Sequence, residues 1–416
     1  MLVKKQFFID ISPFGNTLIR QVVNMNERDK EVIEFCKEAI RIPSPSGGEK
    51  GVALLMKKKM EELGYDSVVI DEFGSCIGII NGSEPGKTIL IDGHIDNVDV
   101  IDEKEWKHKP WGAEETDGKI YGRGTSDMKG SVCAAVIAAG NFKKDTGGKF
   151  KGRVAVSCTV HEECFEGISC RLVSDYVKPD CVIIGEATTS TVKIGQRGRA
   201  EVVVETEGIS CHSSNPEKGK NAVYAMMGVI EEIRKIVPNE HPLLGKGILE
   251  LTDIKSYPYP GASVVPSKCI ATFDRRTLVG ETVETILAQV DDAIERARKK
   301  DPDLKARCYI RDGEALCWTG ATIKAQRYYP AWAVDEKSEL VQKALGALKK
   351  AGIETKISHF SFCTNGSHFC GEKGIPTIGY GPSLESLAHV RDEYIEVNEL
   401  TKAARGFEEI LKALTE

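Results

Sequence analysis

Residues 88–96 read TILIDGHID, an apolar run that ends in a histidine and an aspartate. The run has the length and the apolar character of a buried β-strand. Helical patterns precede and follow it, at residues 49–64 and 129–142. Because strands that alternate with helices pack as a sheet covered by helices, this segment and its neighbours predict an α/β fold.

The same alternation covers the first part of the chain. Further apolar runs have strand length, at residues 66–70, 76–80, 153–160 and 181–185. A helical pattern over residues 26–39 ends before the Pro-, Ser- and Gly-rich stop IPSPSGG at residues 42–48. We therefore expect a sheet in this region with helices on its faces.

The pattern changes after residue 195. Strand and helix patterns then alternate differently, at residues 200–206, 221–237, 249–257, 269–273, 282–299 and 306–310. Their order is βαββαβ, which is the ferredoxin-like order. This part of the chain is therefore predicted to fold as a compact inserted domain.

An α/β pattern returns beyond the insertion, with a helix over residues 336–351 and an apolar run at 375–380. A length of 416 residues gives a prior of two or three domains, at roughly 150 residues each. We predict a discontinuous first domain, residues 1–196 and 330–416, interrupted by the inserted domain at residues 197–329.

Composition places the chain among soluble globular proteins. Of its residues 41% are hydrophobic and 28% are charged, and 40 Gly with 16 Pro are too few for a fibrous or disordered chain. Lys and Arg number 56 against 62 Asp and Glu, a formal net charge of −6 spread along the chain. Because nucleic-acid binders need a basic face for the phosphates, we expect no nucleic-acid partner.

The cysteines and the apolar segments bear on the compartment. Thirteen cysteines, an odd number without paired Cys-x-x-Cys knuckles, predict reduced thiols in a cytosol. The apolar stretch of residues 1–16 is broken by Asp10 and Pro13 before a signal-like core forms. No segment reaches the ~18 uncharged apolar residues of a membrane helix. We predict a soluble, cytoplasmic protein without a membrane partner.

Polar clusters follow the predicted strands of the first domain. They are GHID at residues 93–96, GTSDMKG at 124–130, HEE at 161–163, GE at 185–186 and HVRDE at 389–393. Open α/β sheets place their ligand crevice at such strand ends. Together the clusters supply histidines and carboxylates, a ligand set that suits zinc, manganese or cobalt.

Two other kinds of site are excluded by single residues. The acidic run at residues 92–102 is similar to a calcium loop, but His94 stands where an oxygen ligand is needed and Asn97 replaces the turn glycine. Residues 122–124, Gly-Arg-Gly, are a fragment of a dinucleotide fingerprint whose third glycine is missing. The clusters therefore favour a metal site with mixed histidine and carboxylate ligands.

Motifs in a fixed order carry a resemblance to a known family: GHIDNV, YGRGTSDMKG, HEE, GEAT, CHSSNPEKGKNA, VVPSKCIATFDRR and AHVRDE. In these motifs the chain resembles the di-zinc amidohydrolase family that contains acetylornithine deacetylase, succinyl-diaminopimelate desuccinylase, aminoacylase and the glutamate carboxypeptidases. The resemblance implies a zinc-aminopeptidase-like catalytic domain, a mixed sheet flanked by helices. It also implies that the inserted ferredoxin-like domain is a lid through which members often dimerise, so we expect a homodimer.

The resemblance assigns the metal ligands and the cofactor. Asp127 would bridge two divalent ions per subunit, with His94 and Glu186 on one ion and Glu163 and His389 on the other. Zinc is the expected metal, and cobalt and manganese are alternatives. A carboxylate and a hydroxide between two cations ~3.5 to 4 Å apart would offset their repulsion, and the acidified bridging water would be the nucleophile.

Three further residues receive catalytic roles from the resemblance. Asp96 would hold the imidazole of His94 and fix its tautomer. Glu162 is left as the general base, which takes the proton of the water and passes it to the leaving amine. His212, in the lid motif, would reach the active site of the other subunit and hydrogen-bond the carbonyl oxygen as it becomes an oxyanion.

Substrate contacts are expected from the lid and from a C-terminal loop. Arg276 and the Thr364-Asn365-Gly366 turn match family positions that hold a substrate carboxylate, a task that suits a guanidinium. Ser263 stands where many members have Asn, and Asn365 stands where Asp is frequent. These departures leave the identity of the substrate open.

The predicted reaction is hydrolysis of an amide bond in a small N-acyl amino acid or short peptide with a free carboxylate. A carbamoyl amino acid amidohydrolase and a dipeptidase are alternatives within the same family. A catalytically silent binding protein would have lost the base or a metal ligand, and all of these positions are intact. A Cys-dependent enzyme would use Cys363 with His359 or His368.

Overall fold

The fold is taken from a computed structural model, which describes residues 8–11, 17–20 and 26–416. Residues Phe8–Ile11 (β1) and Thr17–Arg20 (β2) pair as an antiparallel hairpin. Most of residues 1–16, for which no signal-like core is predicted, lies outside the described ranges. Within those ranges, none of the helices combines the length and the apolar character needed to cross a membrane.

The α-helices of the described ranges are α1 Glu27–Ile40, α2 Lys50–Glu62, α3 Lys129–Thr146, α4 Cys170–Val177, α5 Ala222–Ile233, α6 Val283–Lys300, α7 Glu339–Lys350 and α8 Val397–Thr415. Short 3₁₀ turns occupy Glu103–Glu105, Pro216–Lys218 and Glu385–Leu387, and a π-helical turn occupies Ser367–Glu372. The first three α-helices were predicted within a few residues of these bounds.

The remaining strands follow in chain order. They are β3 Ser67–Ile70, β4 Cys76–Asn81, β5 Glu84–His94, β6 Glu114–Thr116, β7 Lys119–Tyr121, β8 Lys151–Thr159, β9 Cys181–Ile184, β10 Val192–Gln196, β11 Gly198–Glu207, β12 Glu240–His241, β13 Gly245–Lys246, β14 Ile248–Tyr257, β15 Lys268–Thr277, β16 Lys305–Ile310, β17 Asp312–Leu316, β18 Thr322–Gln326, β19 Tyr328–Tyr329, β20 Trp332–Ala333, β21 Ile357–Phe360, β22 Thr377–Gly379 and β23 Tyr394–Glu396. They form two main sheets and several short ones.

The larger main sheet has the strand order β20-β10-β22-β9-β5-β8-β4-β3, and β21 also pairs with β10. Strands β22, β9, β5 and β8 run parallel to one another. Strands β3 and β4 on one side, and β10 with β20 on the other, pair antiparallel to their neighbours. The sheet is therefore mixed, and the TILIDGHID segment lies in its central strand, β5.

Helices cover this sheet. Every residue of α3 from position 129 to position 142 is buried, because α3 packs between the sheet and the helices α1 and α8. A helix that is enclosed on all sides carries small and apolar residues around its whole circumference, as this one does. The main core of the molecule lies between these helices and the sheet.

The second main sheet has the strand order β14-β15-β11-β16, and β19 also pairs with β11. Its strands and the helices α5 and α6 follow in the order βαββαβ along the chain, as predicted. The helices pack on one face of this sheet around a separate core that includes Val202, Val204, Ala271, Phe273 and Ile294. A self-contained core is typical of an independently packed unit.

One hairpin of the predicted inserted domain packs on the larger sheet's loops. Strands β17 and β18 pair antiparallel, and Cys317 and Ile323 pack against Phe165. Trp318 donates a hydrogen bond from Nε1 to the carbonyl oxygen of Gly74 at 3.3 Å. The domain boundaries stay a prediction. Through this hairpin, residues of the predicted inserted domain contact residues of the predicted first domain.

Candidate metal centre

The carboxyl ends of neighbouring parallel strands bring the predicted ligands together. Strand β5 ends at His94, the HEE segment 161–163 follows β8, and Glu186 follows β9. Parallel strands present their carboxyl ends at one edge of the sheet. The other two predicted ligands do not directly follow a strand, contrary to the prediction. Asp127 lies just before α3, and His389 follows the Glu385–Leu387 turn.

Asp127 lies between two imidazoles. Its Oδ1 is 3.0 Å from His94 Nε2, and its Oδ2 is 3.0 Å from His389 Nε2. His94 Nε2 is also 3.4 Å from Glu186 Oε1, and His389 Nε2 is 2.9 Å from Glu163 Oε2. The structure therefore brings all five predicted ligands into one cluster, in the pairs that the resemblance implies.

Two residues of this cluster region have left-handed backbone angles. His161, which opens the HEE segment, has φ 59°, and His389 has φ 63°. A residue other than glycine rarely adopts such an angle, and instances persist where the surrounding contacts enforce them. Backbone strain of this kind concentrates at functional sites.

Buried carboxylates crowd the cluster. Burial, with repulsion from Glu186 and Glu166, raises the pKa of Glu162 well above its usual range, although His94 opposes this shift. Burial and the neighbouring Asp127 raise the pKa of Glu163 to about 7. Among the residues that the structure describes, Glu162 Oε1, Glu163 Oε1 and Glu186 Oε2 are buried without a hydrogen-bond partner.

The same carboxylates also raise the pKa values of the two histidines. Hydrogen bonds to Asp127 and Glu163 raise the pKa of His389 to about 10. Burial disfavours the charged form of His94, but Glu186 and Asp127 outweigh it and raise the pKa of His94 well above its usual value. The cluster therefore requires positive charge. Histidine and carboxylate donors with orphaned oxygens fit divalent cations, which would supply that charge.

Two overlapping groups of side chains could hold a metal ion. One is His94, Glu162 and Glu186, and the other is His94, Asp127 and Glu163; the ligand atoms of each group lie within 4.8 Å of one another. Glu162, which was predicted to be the base and not a ligand, therefore lies at ligand distance. Its Oε2 is 4.0 Å from His94 Nε2.

Asp96 contacts His94 differently from what was expected. His94 Nδ1 is 3.0 Å from the backbone carbonyl oxygen of Asp96 and 3.6 Å from its carboxylate. The carboxylate instead accepts hydrogen bonds from the amides of Glu162 at 3.0 Å and Glu163 at 3.1 Å, and from the hydroxyl of Ser46 at 2.7 Å. Its side chain therefore fixes the HEE segment, while its backbone fixes the imidazole.

Glu49 is a second buried carboxylate behind the HEE segment, and the sequence reasoning missed it. Its Oε1 accepts hydrogen bonds from the amide of Gly47 at 2.9 Å and from that of His161 at 3.2 Å. Glu49 and Asp96 together therefore bind the three consecutive amides of residues 161–163. The only signal in the sequence was an acidic residue beside the Gly-rich stop before α2.

A cavity of about 430 Å³ opens over the cluster. Its lining consists of Asp127, Glu162, Glu163, Glu166, Glu186, Arg199, Arg276, Ser361, Phe362, Cys363, Glu385, Ala388 and His389. The predicted substrate residue Arg276 is among them, on β15 of the second sheet. Glu166 and Arg199 also line the cavity and were not identified from the sequence.

The predicted substrate turn lies behind the cavity wall. Thr364 is fully buried and donates a hydrogen bond to Gln196 Oε1 at 2.6 Å. Asn365 donates to Asp92 Oδ2 and to Thr159 Oγ1, at 2.9 Å each. Gly366 packs so closely on Trp332 that a Cβ would lie 2.5 Å from the indole nitrogen. In this conformation, then, the three residues support the wall and do not line the cavity.

His212 does not line the cavity of its own chain. It is exposed, and its Nδ1 accepts hydrogen bonds from the amide of Ser214 at 3.1 Å and from the Ser214 hydroxyl at 2.8 Å. Its role as a residue of the other subunit's site stays a prediction.

Cys363 lines the cavity but has no histidine partner among the described residues. Its Sγ contacts Ser367 Oγ at 3.1 Å and Gln196 Nε2 at 3.4 Å. His359 bonds instead to the backbone of Phe360, and His368 to Ser174 and to a carboxylate. Burial also raises the pKa of the Cys363 thiol. This geometry gives no support to a Cys-dependent mechanism.

A model of peptidase family M20/M25/M40 matches residues 90–413. The chain belongs to this family. Membership confirms the resemblance drawn from the motifs, and the α/β fold with its inserted ferredoxin-like sheet agrees with it. As a member of this peptidase family, the chain is a hydrolase that acts on amide or peptide bonds, as predicted.

The relatives of this M20 family member include proteins of named and unnamed activity. It is 33% identical over 368 residues to Escherichia coli YgeY, which is described as uncharacterised; the match covers 87% of this chain and 89% of that protein. It is 26% identical over 400 residues to succinyl-diaminopimelate desuccinylase 2 of a Ruegeria species, with 91% and 94% coverage.

Solved structures share the fold of this family member. Aminopeptidase PepT of Bacillus cereus superposes with a TM-score of 0.72 at 18% identity, over 93% of this chain and 99% of that one. Bacillus subtilis YxeP, described as a dinuclear metal-binding peptidase of family M20, superposes with a TM-score of 0.68 at 14% identity, with 94% and 99% coverage.

Proposed function

We propose that this protein hydrolyses the amide bond of a small N-acyl amino acid or short peptide that carries a free carboxylate, with the help of two divalent metal ions. The observation that carries the proposal is the position of Asp127, whose two oxygens each lie 3.0 Å from a different imidazole. A carboxylate in that position is suited to bridge two cations. Zinc is the proposed metal, and cobalt and manganese are alternatives.

His94 and Glu186 would hold one ion, Glu163 and His389 the other, and Asp127 both. Two such ions acidify water and polarise a carbonyl group when they are bound. The contact from Asp96 to the ring of His94 supports a fixed tautomer for this ligand, because a hydrogen bond at Nδ1 leaves Nε2 for the metal.

Glu162 is the proposed general base. It is buried beside the proposed ligands, and its Oε1 has no partner among the described residues. Its raised pKa suits a group that takes a proton from water and then gives it to the leaving amine. Asp96 supports this role, because it holds the amides of both Glu162 and Glu163 in place.

Arg276 is proposed to bind the carboxylate of the substrate. It lines the same cavity as the proposed ligands, and its side chain is 30% exposed. A guanidinium binds a carboxylate through two parallel hydrogen bonds, which would fix the scissile amide over the metals. Thr364, Asn365 and Gly366 would contribute indirectly, by supporting the wall of the cavity.

We propose a homodimer formed through the lid, residues 197–329, in which His212 serves the partner's site. Exposed apolar residues on the lid support this proposal: Tyr224 and Met227 on α5, and Ile254 and Tyr257 on β14. Strand β14 is also an edge of its sheet. Exposed apolar side chains beside an unpaired edge are typical of an association surface.

Three reaction types of this family are candidates for this protein. Succinyl-diaminopimelate desuccinylase and acetylornithine deacetylase among the relatives favour a deacylase, whereas dipeptidases and carboxypeptidases among the structural neighbours show that the same fold also serves peptides. A carbamoyl amino acid amidohydrolase is the third candidate. The cytoplasm is the proposed compartment, since all thirteen cysteines are free thiols.

One screen separates these candidates. The zinc-, cobalt- and manganese-loaded protein is incubated with panels of N-acyl amino acids, dipeptides and N-carbamoyl amino acids, and the released amine is measured. We expect turnover in one panel, and little turnover of the carboxamides of the same compounds. A protein that binds two ions and hydrolyses none of the panels would contradict the proposal and favour a binding role.

A further inference from the structure

Two arginines stand directly opposite each other on the cavity side of the second sheet. In the register of β11 and β15, Arg199 is paired with Arg276, and Glu201 is paired with Asp274. Residues two apart on a strand share a face, so all four side chains lie on one face. Like charges in directly opposite positions destabilise a sheet. The repulsion between the two arginines must therefore be offset by negative charge.

The carboxylate of Asp274 lies between the two guanidinium groups and offsets their repulsion. Its Oδ2 is 2.8 Å from Arg199 Nε, and its Oδ1 is 2.8 Å from Arg276 Nε. Each carboxylate oxygen therefore forms an ion pair with the Nε of a different arginine. The carboxylate sets the spacing of the two groups and the direction in which each extends.

The two arginines differ in what remains available to a ligand. Arg199 also pairs through its terminal nitrogens with Glu166 at 3.0 Å and with Glu201 at 3.2 Å. Arg276 forms an ion pair with no described residue other than Asp274, and that pair uses Nε. The two terminal nitrogens of Arg276 are therefore left for a ligand in the cavity that both arginines line.

Glu166 connects this arrangement to the proposed catalytic residues. It lies four positions after Glu162, lines the cavity, and belongs to the larger sheet's loops. Its bond to Arg199 therefore joins the HEE loop to the second sheet. Successive ion pairs therefore connect the HEE loop to the second sheet, in the order Glu166, Arg199, Asp274 and Arg276.

We propose that Asp274 is a positioning residue for substrate recognition: it aims the terminal nitrogens of Arg276 into the cavity and is itself anchored, through Arg199 and Glu166, to the HEE loop. This proposal rests on the proposed function, because it presumes that Arg276 binds a substrate carboxylate. It predicts that Asp274 affects only substrates that carry the carboxylate.

The test compares kcat and KM of Asp274→Ala and Asp274→Asn on the best substrate of the screen and on its carboxamide. Asp274→Ala should raise KM for the free acid by about three- to tenfold, the effect of one lost ion-pair contact to Arg276, and change kcat little. The carboxamide should be unaffected. Asp274→Asn keeps one acceptor oxygen and should show a smaller effect, and it also serves if the alanine variant fails to fold.

Glu281→Gln is the matched control. Glu281 forms a buried ion pair with Arg275, the residue between Asp274 and Arg276 on β15, at 2.6 Å, and Glu281 does not line the cavity. This variant should lower the melting temperature while the ratio of acid to carboxamide activity stays constant.

Arg276→Ala distinguishes failure of this inference from failure of the proposed function. If Arg276→Ala loses the preference for the free acid and Asp274→Ala keeps it, Asp274 does not position the arginine, and the inference is wrong. An equal loss on acid and carboxamide in Asp274→Ala would also overturn it, as a purely structural effect. If Arg276→Ala itself keeps the preference, the carboxylate contact of the proposed function fails, and the inference fails with it.

Discussion

Glu162 and Glu163 are neighbours in the sequence but have different surroundings at the scale of single residues. Glu163 Oε2 is 2.9 Å from His389 Nε2, within direct contact of a proposed ligand. Glu162 Oε2 is farther from an imidazole, at 4.0 Å from His94 Nε2. This difference favours Glu163 as a ligand and leaves Glu162 available for proton transfer.

Glu162→Gln therefore separates chemistry from metal binding. The variant should keep its metal content and lower kcat by about 10²- to 10⁴-fold, the usual effect of losing a general base. Glu163→Gln is the matched control and should lose an ion. Loss of metal from Glu162→Gln with retention by Glu163→Gln would mean that the two roles are exchanged.

Arg276→Ala tests the contact with the substrate. Removing a charge-assisted partner in a water-poor cleft should lower kcat/KM by about ten- to a hundredfold for a substrate with a free carboxylate. Its carboxamide should react at nearly the original rate. Equal rates for acid and carboxamide with the intact enzyme would instead indicate an aminopeptidase or a hydrolase of uncharged amides.

At the scale of elements, the loop that carries HEE is held from behind by residues of other segments. Asp96 on the β5 side and Glu49 before α2 accept its three consecutive amides. The carbonyl oxygen of Cys164 accepts hydrogen bonds from Arg327 at 2.9 Å and from the Tyr329 hydroxyl at 3.2 Å. The left-handed angle at His161 persists because these contacts leave the loop few alternatives.

Glu49→Ala should therefore impair both stability and turnover. It leaves the amides of Gly47 and His161 without their acceptor, at a cost of about 1–3 kcal/mol for the buried amide of His161 and less for the half-buried amide of Gly47. We expect a lower melting temperature and a lower kcat, with KM little changed. Glu49→Gln keeps an acceptor oxygen and should retain most of both. Equal losses in the two variants would show that the charge of Glu49, and not its acceptor, matters.

Most of the regular elements were predictable, because apolar periodicity reports burial directly. The βαββαβ order and the strand β5 follow from it. The terminal helix α8 was missed, although Leu400, Ala403, Phe407 and Leu411 repeat at helical spacing and are buried. The packing of the β17–β18 hairpin on Phe165 was not predicted, because it depends on contacts distant in sequence.

Some residues of the candidate site were predictable from the sequence, and others were not. The proposed ligands stand in short motifs, three of them at strand ends, where residue type and position together predict their proximity. Thr364 and Asn365 stand in a motif too, but their burial behind the cavity wall depends on Gln196 and Asp92 from other segments. Arg199 and Glu166 could not be recognised, because a charged residue in a strand or loop gives no signal until its cross-strand neighbour is known.

In the whole molecule, two residues of the predicted lid have different positions relative to the cavity. Arg276 reaches the cavity of its own chain, whereas His212 is exposed and does not line it. A residue that acts in the proposed chemistry but does not reach its own cavity would have to act in another copy. The exposed apolar side chains of α5 and β14 support such an association.

Mixing two inactive variants tests this arrangement. In a hybrid of His212→Ala and Glu162→Gln subunits, one site combines an intact Glu162 with an intact His212 from the other chain. Such hybrids should regain activity, up to about one site in four after random exchange at equal amounts, since half of the dimers are hybrids and each has one complete site. Each variant alone is the control. Hybrids that form without regaining activity would show that His212 acts within its own chain or has no role.

Metal analysis is the decisive experiment, because we propose that the cluster around Asp127 binds two metal ions that activity requires. Elemental analysis of the chelated, reloaded protein should give two divalent ions per chain, with activity lost on chelation and regained on reloading. His94→Ala and His389→Ala should each weaken one ion selectively, because the two imidazoles contact different oxygens of Asp127. A fully active protein that holds one ion per chain would contradict the proposed two-metal site.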